Sequence, residues 1–107
     1  MNRGDIWLIN LGGKAGMRPA LILTHQGVIA YLNKITVAEI TSQGKGYPTE
    51  VAINQMGNLP KESYVQLDNI HTVPKTYFDR YIGTLDSDTM RTVSQKIILA
   101  LGLEDAL

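Results

Sequence analysis

The residues of this chain best suited to chemistry are polar side chains at the ends of apolar, strand-like segments. Arg18 precedes the apolar run at 19–23, and Thr41 follows the run at 35–40. A guanidinium can hold a phosphate through two parallel hydrogen bonds and stays charged at any working pH, and a nearby hydroxyl can complete the anion's hydrogen bonds. Further polar residues lie in the same loop or flank a later strand: Ser42, Gln43, Lys45, Tyr47, Asn69 and His71.

This set of residues predicts a site for a phosphodiester of single-stranded nucleic acid. In such a site Tyr47 stacks on a base and Lys45 meets a backbone charge. Simpler structural interpretations stay open for the same residues. An arginine before proline is commonly a surface charge or a salt bridge between subunits, Thr41 suits ordinary turn chemistry, and His71 in an alternating strand faces solvent.

Other kinds of site lack their sequence signatures. The two histidines, His25 and His71, are far apart and neither has a carboxylate at ligand spacing, so no metal site is predicted. No serine lies in a GxSxG elbow, and neither a GxGxxG motif nor a phosphate-binding P-loop is present. No cofactor is therefore expected.

Length and composition narrow the class of protein. The 107 residues suit a single domain over 1–107. Ten basic and ten acidic residues give zero formal net charge, so a nucleic-acid site needs locally gathered positive charge. Cysteine is absent and no apolar run reaches the length of a membrane span, which favours a cytoplasmic protein without membrane contact.

The elements that must position these residues are short strands followed by one helix. Alternation, branched residues and turn signals predict strands near 6–9, 19–23, 35–40, 50–53 and 81–85. The stretches 64–67 and 70–73 form two further strands or one bent strand broken at Asp68-Asn69, and residues 54–60 form a turn-rich loop.

After the last predicted strand, the spacing of apolar residues changes from that of a strand to that of a helix. Asp86 can cap its start and Gly102 can end it. Met90, Val93, Ile97 and Leu101 fall at helical spacing and form its apolar stripe. The predicted fold is mostly β with a C-terminal helix, an α+β arrangement built on a small barrel or strongly curved sheet.

Five segments of the chain, in order, resemble the MazF/PemK family of type II toxin–antitoxin ribonucleases. They are RGDIWLINL, GMRPALIL, ITSQGKGYPTEVAI, LPKESYVQLDNIHTV and YIGTLDSDTMRTVSQKIILALGL. The resemblance implies a small SH3-like, PemK-type curved barrel, a two-fold homodimer, and metal-independent cleavage of single-stranded RNA at a short preferred sequence.

The resemblance also assigns roles to residues. Arg18 and Thr41 match the family's catalytic arginine and threonine, while Ser42, Gln43 and the loop to Tyr47 match positions near the substrate. The implied reaction is attack of the RNA 2′-OH on phosphorus, giving a 2′,3′-cyclic phosphate and a 5′-OH. Since arginine is a poor proton shuttle, the general acid and base are not assigned by the sequence. His71 is expected to contact RNA or to assist proton transfer.

Partners follow from the same resemblance. Lys14, Arg18 and Lys45 from both subunits would make a dimer groove locally positive for RNA. A MazE-like antitoxin with an acidic tail would cover that groove. The loop from Gly12 to Met17 is shorter than in many members, so the sequence does not name the cut site. Two alternatives remain: a CcdB-like gyrase poison of the same fold, and an inactive member that only binds its antitoxin.

Overall fold

A computed structural model describes residues 1–53, 58–59 and 62–106. It contains six strands and one α-helix among those residues: β1 (Asp5–Asn10), β2 (Met17–Ile22), β3 (Lys34–Thr41), β4 (Glu50–Ala52), β5 (Tyr64–Pro74), β6 (Phe78–Thr84) and α1 (Ser87–Leu101). The prediction of many short strands before one C-terminal helix is confirmed. The predicted loop at 54–60 falls mostly outside the described residues.

The six strands form one antiparallel sheet in the order β4-β5-β3-β2-β1-β6. The middle strands β2 and β3 pair with Ala20 opposite Glu39 and Ile22 opposite Val37. On its other side β2 pairs with β1, so that Arg18 lies opposite Ile9. Arg18 and Thr41 therefore lie on the two central strands of the sheet, each of which has a neighbouring strand on both sides.

Both faces of the sheet are covered by apolar side chains. Along β2, Ala20 and Ile22 belong to one core cluster and Leu21 to the other, as expected from the alternation of side chains along a strand. Trp7 and Phe78 pack beside the cluster of Ala20, with their rings edge to face at 5.9 Å. Burial on both faces explains why β2 continues after Pro19 as an unbroken apolar run.

The helix begins and ends where its capping residues predict. Hydrogen bonds from the Thr89 side chain and from the Thr89 backbone N–H, the latter at 2.7 Å, hold the Asp86 carboxylate and lower the pKa of Asp86. Gly102 adopts the left-handed conformation with φ 66°, and its N–H reaches the last carbonyls of the helix. Val93 is fully buried, whereas Leu101, at the end of the predicted stripe, is 56% exposed. None of the helices described here is long and apolar enough to cross a membrane.

Strand β5 is continuous but irregular, which corresponds to the single bent strand among the predicted alternatives. Ala38 pairs with Ile70 and Ile40 pairs with Val65, so β5 advances five residues while β3 advances two. The extra residues, 66–69, form a bulge opposite Glu39. Bulges of this kind bend a strand and change the direction of its side chains.

Candidate active site

Arg18 lies near the start of β2, on a strand paired on both sides. Its backbone is opposite Ile9 of β1. Pro19 follows it, with a fixed φ and no N–H to satisfy. The next residues along the strand, Ala20, Leu21 and Ile22, are completely buried. An exposed guanidinium is thus mounted on a rigid strand, as a preorganised catalytic or binding group requires.

Thr41 ends β3 and projects from the same face of the sheet as Arg18. Side chains alternate along each strand, so Arg18 shares a face with Ala20, and Thr41 shares a face with Val37. Ala20 and Val37 belong to the same core cluster, which sets both polar residues on one side. Extending the Ala20–Glu39 pairing by two residues along each strand puts Arg18 opposite Thr41.

These side chains line a cavity of about 390 Å³. That volume lies within the usual range for ligand sites, about 300–1,000 Å³. The cavity is formed by the ends of β2 and β3, the bulge of β5 and the residues just before β5. Its described lining is Arg18, Pro19, Glu39, Ile40, Thr41, Ser42, Leu59, Ser63 and Gln66.

The guanidinium of Arg18 is available to an anion. Its Nη1 donates only a long 3.4 Å hydrogen bond to the Met17 carbonyl. The ion pairs within the described part of the chain join other residues, Glu39 with His71 and Asp88 with Arg91. Arg18 is therefore a surface charge, as the simpler interpretation expected, but one that lines a cavity and has no ion-pair partner among the described residues.

The Thr41 hydroxyl is oriented by the loop that follows it. Its Oγ1 accepts a 3.1 Å hydrogen bond from the Gln43 backbone N–H, which leaves the O–H free to donate. The loop itself is held by Glu50, whose carboxylate accepts from the backbone N–H groups of Lys45 and Gly46 at 3.0 Å. A hydroxyl donor beside a free guanidinium suits the two non-bridging oxygens of a phosphodiester.

A contact between His71 and Glu39 joins strands β5 and β3. His71 Nε2 lies 2.5 Å from Glu39 Oε2, and the histidine side chain is 39% exposed while the glutamate side chain is 17% exposed. Glu39 lines the cavity, but His71 is not part of its described lining. His71 is therefore a half-exposed strand residue, and its ring contacts the Glu39 carboxylate.

The structure separates the predicted site residues into two groups. Arg18, Thr41 and Ser42 share the cavity, and Gln43 contacts Thr41 through its backbone. The others lie outside the described cavity lining: Lys14 in an exposed turn, Lys45 in the loop beyond Gln43, Tyr47 in the same loop with 52% exposure, Asn69 in the β5 bulge, and His71 behind Glu39. For these five residues, contact with a longer RNA remains a prediction.

Three polar residues of the cavity were not predicted from the sequence: Glu39, Ser63 and Gln66. For Glu39 a signal was available, since it is the single acid within the strand KITVAEIT and shares the alternation of Thr41. Gln66 had no such signal in the sequence, because the direction of its side chain depends on the bulge in β5. Within the described ranges, no three His, Asp or Glu side chains cluster as metal ligands would.

The chain is similar to known proteins over most of its length. A family model described as the PemK-like, MazF-like toxin of type II toxin–antitoxin systems matches residues 2–101. The probable endoribonuclease MazF2 of Mycobacterium tuberculosis is 31% identical over 103 residues, covering 95% of this chain and 99% of the relative.

Solved structures match over nearly the whole chain. The Mycobacterium tuberculosis toxin MazF-mt6 superimposes with a TM-score of 0.85 at 33% identity, covering 92% of this chain and 96% of that one. A mycobacterial endoribonuclease in complex with its cognate antitoxin superimposes with a TM-score of 0.84 at 30% identity, covering 96% of both chains. The fold expected from the resemblance is therefore confirmed.

Proposed function

This chain belongs to the PemK-like, MazF-like family of toxins from type II toxin–antitoxin systems, and on that premise we propose that it is a sequence-specific, metal-independent endoribonuclease acting on single-stranded mRNA. The observation that carries the proposal is the placement of Arg18 and Thr41 in one cavity, on one face of two adjacent strands. Relatives named as endoribonucleases support the activity, and the gyrase-poison alternative is not favoured.

The cavity suits cleavage by the RNA's own 2′-OH. As that oxygen attacks phosphorus, negative charge builds up on the non-bridging oxygens. The Arg18 guanidinium and the Thr41 hydroxyl are fixed donors that bind this charge more strongly in the transition state than in the ground state. The P–O5′ bond breaks, leaving a 2′,3′-cyclic phosphate and a 5′-OH. Each donor of this kind typically contributes about 10²–10³ in rate.

Binding partners complete the proposal. The protein acts as a homodimer whose groove carries Lys14, Arg18 and Lys45 from each subunit, with Ser42, Gln43, Tyr47, Asn69 and His71 contacting RNA beyond the scissile phosphate. A MazE-like antitoxin with an acidic segment covers the same groove and blocks cleavage. Since mRNA is the substrate, the working location is the cytoplasm.

The direct test is cleavage of a long, unstructured RNA in EDTA by wild type, Arg18→Ala and Arg91→Ala. Arg91 is a matched control because it lies on the exposed side of α1, paired with Asp88. We expect wild type and the control to cut alike, with 2′,3′-cyclic phosphate ends, and Arg18→Ala to lose about 10²–10³ in rate. If wild type leaves RNA intact, the ribonuclease proposal fails. Inhibition of gyrase by the same protein would then favour the binding-toxin alternative.

A further inference from the structure

The cavity contains a carboxylate that phosphate binding does not explain. Glu39 lies between Ala38 and Ile40, which point into the opposite core cluster, so its own side chain projects on the face of Arg18 and Thr41. Arg18 and Glu39 are the two charged residues of the described cavity lining. A carboxylate there repels a phosphodiester and weakens its binding. Its presence therefore calls for a role in the reaction rather than in binding.

Glu39 is held by one of its two oxygens. Oε2 pairs with His71 Nε2 at 2.5 Å across strands β3 and β5. Within the described part of the chain, Oε1 has no hydrogen-bond partner. The side chain is 17% exposed, so it is largely shielded and still reachable from the cavity. This arrangement orients a carboxylate and leaves one oxygen free to accept a proton.

We propose that Glu39 is the general base of the reaction and that His71 is its positioning residue. The inference rests on the proposed ribonuclease function and supplies the proton acceptor which arginine cannot provide, because a guanidinium stays protonated at working pH. Glu39 Oε1 takes the proton of the attacking 2′-OH as the 2′-oxygen bonds to phosphorus. The P–O5′ bond breaks, the 5′-oxygen takes a proton from solvent water, and Glu39 later returns its proton to solvent.

The charges around the cavity are consistent with this assignment. The Arg18 guanidinium offsets the repulsion between the carboxylate and the phosphate. His71 lies outside the described cavity lining and contacts Glu39, so its effect on the proton-transfer step passes through the carboxylate and is separate from any contact with RNA beyond the scissile phosphate. The β5 residues opposite Glu39 include Gln66, which also lines the cavity.

The first test compares Glu39→Gln with wild type on RNA in EDTA. The amide keeps the size of the side chain but cannot take up the proton, so we expect kcat to fall about 10²–10⁴-fold. Loss of a negative charge from an anion site should leave KM unchanged or lower it. Glu104→Gln is the matched control, since it makes the same change in the exposed C-terminal turn. Thermal unfolding of each variant checks the fold.

The outcomes separate this inference from the proposed function. Wild-type cleavage with an unchanged or faster Glu39→Gln variant overturns the general base and leaves the ribonuclease intact. Absence of wild-type cleavage overturns both. If Glu39→Gln has a raised KM and an unchanged kcat, the inference is also overturned, because the variant has then lost binding and not proton transfer.

A modified substrate distinguishes a base from an acid. Replacing the bridging 5′-oxygen of the cleaved RNA with sulfur gives a leaving group that departs without a proton. If Glu39 acts on the nucleophile, the ratio of the wild-type rate to the Glu39→Gln rate is the same with the sulfur substrate as with ordinary RNA. Recovery of the Glu39→Gln rate with sulfur would mean that Glu39 protonates the leaving group, and would overturn the assignment.

The role of His71 is tested by combining variants. His71→Ala frees the Glu39 carboxylate to turn away, and we expect about a tenfold fall in kcat. His71→Gln keeps an N–H donor and should retain most of the rate. In the Glu39→Gln background His71→Ala should cost nothing further, because a positioning residue acts only through its partner. Additive losses would overturn the positioning role.

Discussion

Arg18 and Thr41 project from the same face of two neighbouring antiparallel strands and line one cavity. The strands are central in the sheet, and apolar side chains cover both of its faces. Both residues belong to strands and lie two positions beyond the Ala20–Glu39 pair, so the register of β2 against β3 brings them opposite each other. Catalytic groups held in this way need little rearrangement when charge develops on a substrate.

Thr41→Val should slow cleavage by about 10²-fold while leaving the fold intact, since it removes one hydrogen-bond donor and keeps the shape of the side chain. Thr41→Ser should retain most activity. Thr72→Val is the control, because its hydroxyl pairs with Thr36 in an exposed position. Single-turnover cleavage rates measure the effect. A Thr41→Val protein as fast as wild type would remove the hydroxyl from the mechanism.

RNA affinity should fall as salt is added, though less steeply than for a basic protein, because the chain has zero formal net charge. Binding to a 2′-O-methyl RNA, which has no attacking hydroxyl, measures affinity without cleavage. Arg18→Ala should reduce the slope of log affinity against log salt by about one. A flat salt response in wild type would contradict a phosphate-centred groove.

Glu50→Gln should loosen the loop after Thr41, because the Glu50 carboxylate accepts the backbone N–H groups of Lys45 and Gly46. Charge-assisted hydrogen bonds are stronger than neutral ones, so we expect faster amide exchange at both positions and a KM raised about tenfold. Glu104→Gln should change neither quantity. Unchanged exchange at Lys45 and Gly46 would show that the carboxylate does not hold this loop.

Asp86→Asn should remove a contribution to the free energy of unfolding that depends on pH. The hydrogen bonds from Thr89 lower the pKa of Asp86 from its ordinary value of 3.8. The carboxylate therefore stabilises the folded state above about pH 4, and this contribution is lost as pH falls through the folded-state pKa. Thermal unfolding should show wild type more stable than Asp86→Asn at pH 7, with a difference that shrinks as pH falls below about 4. A constant difference at all pH values would rule out this linkage.

The elements predicted from sequence were those encoded by neighbouring residues. Asp86 and Gly102 mark the ends of the helix by hydrogen bonds that span a few positions, so the helix was predictable without the fold. The central strands were predictable for a similar reason, since their apolar runs are short and bounded by turn residues. The ambiguity at Asp68-Asn69 persisted because a bulge depends on the partner strand, which the local sequence does not specify.

The local sequence predicts the strands and the helix and, through resemblance to a toxin family, candidate roles for Arg18 and Thr41. The contact of Glu39 with His71, and its place in the same cavity, follow from the fold alone. The physical reason is register: these residues come from separate strands, and a shift of one residue in either pairing would turn a side chain to the opposite face. Periodicity along one segment encodes which residues are buried, whereas the pairing between segments determines which polar groups meet.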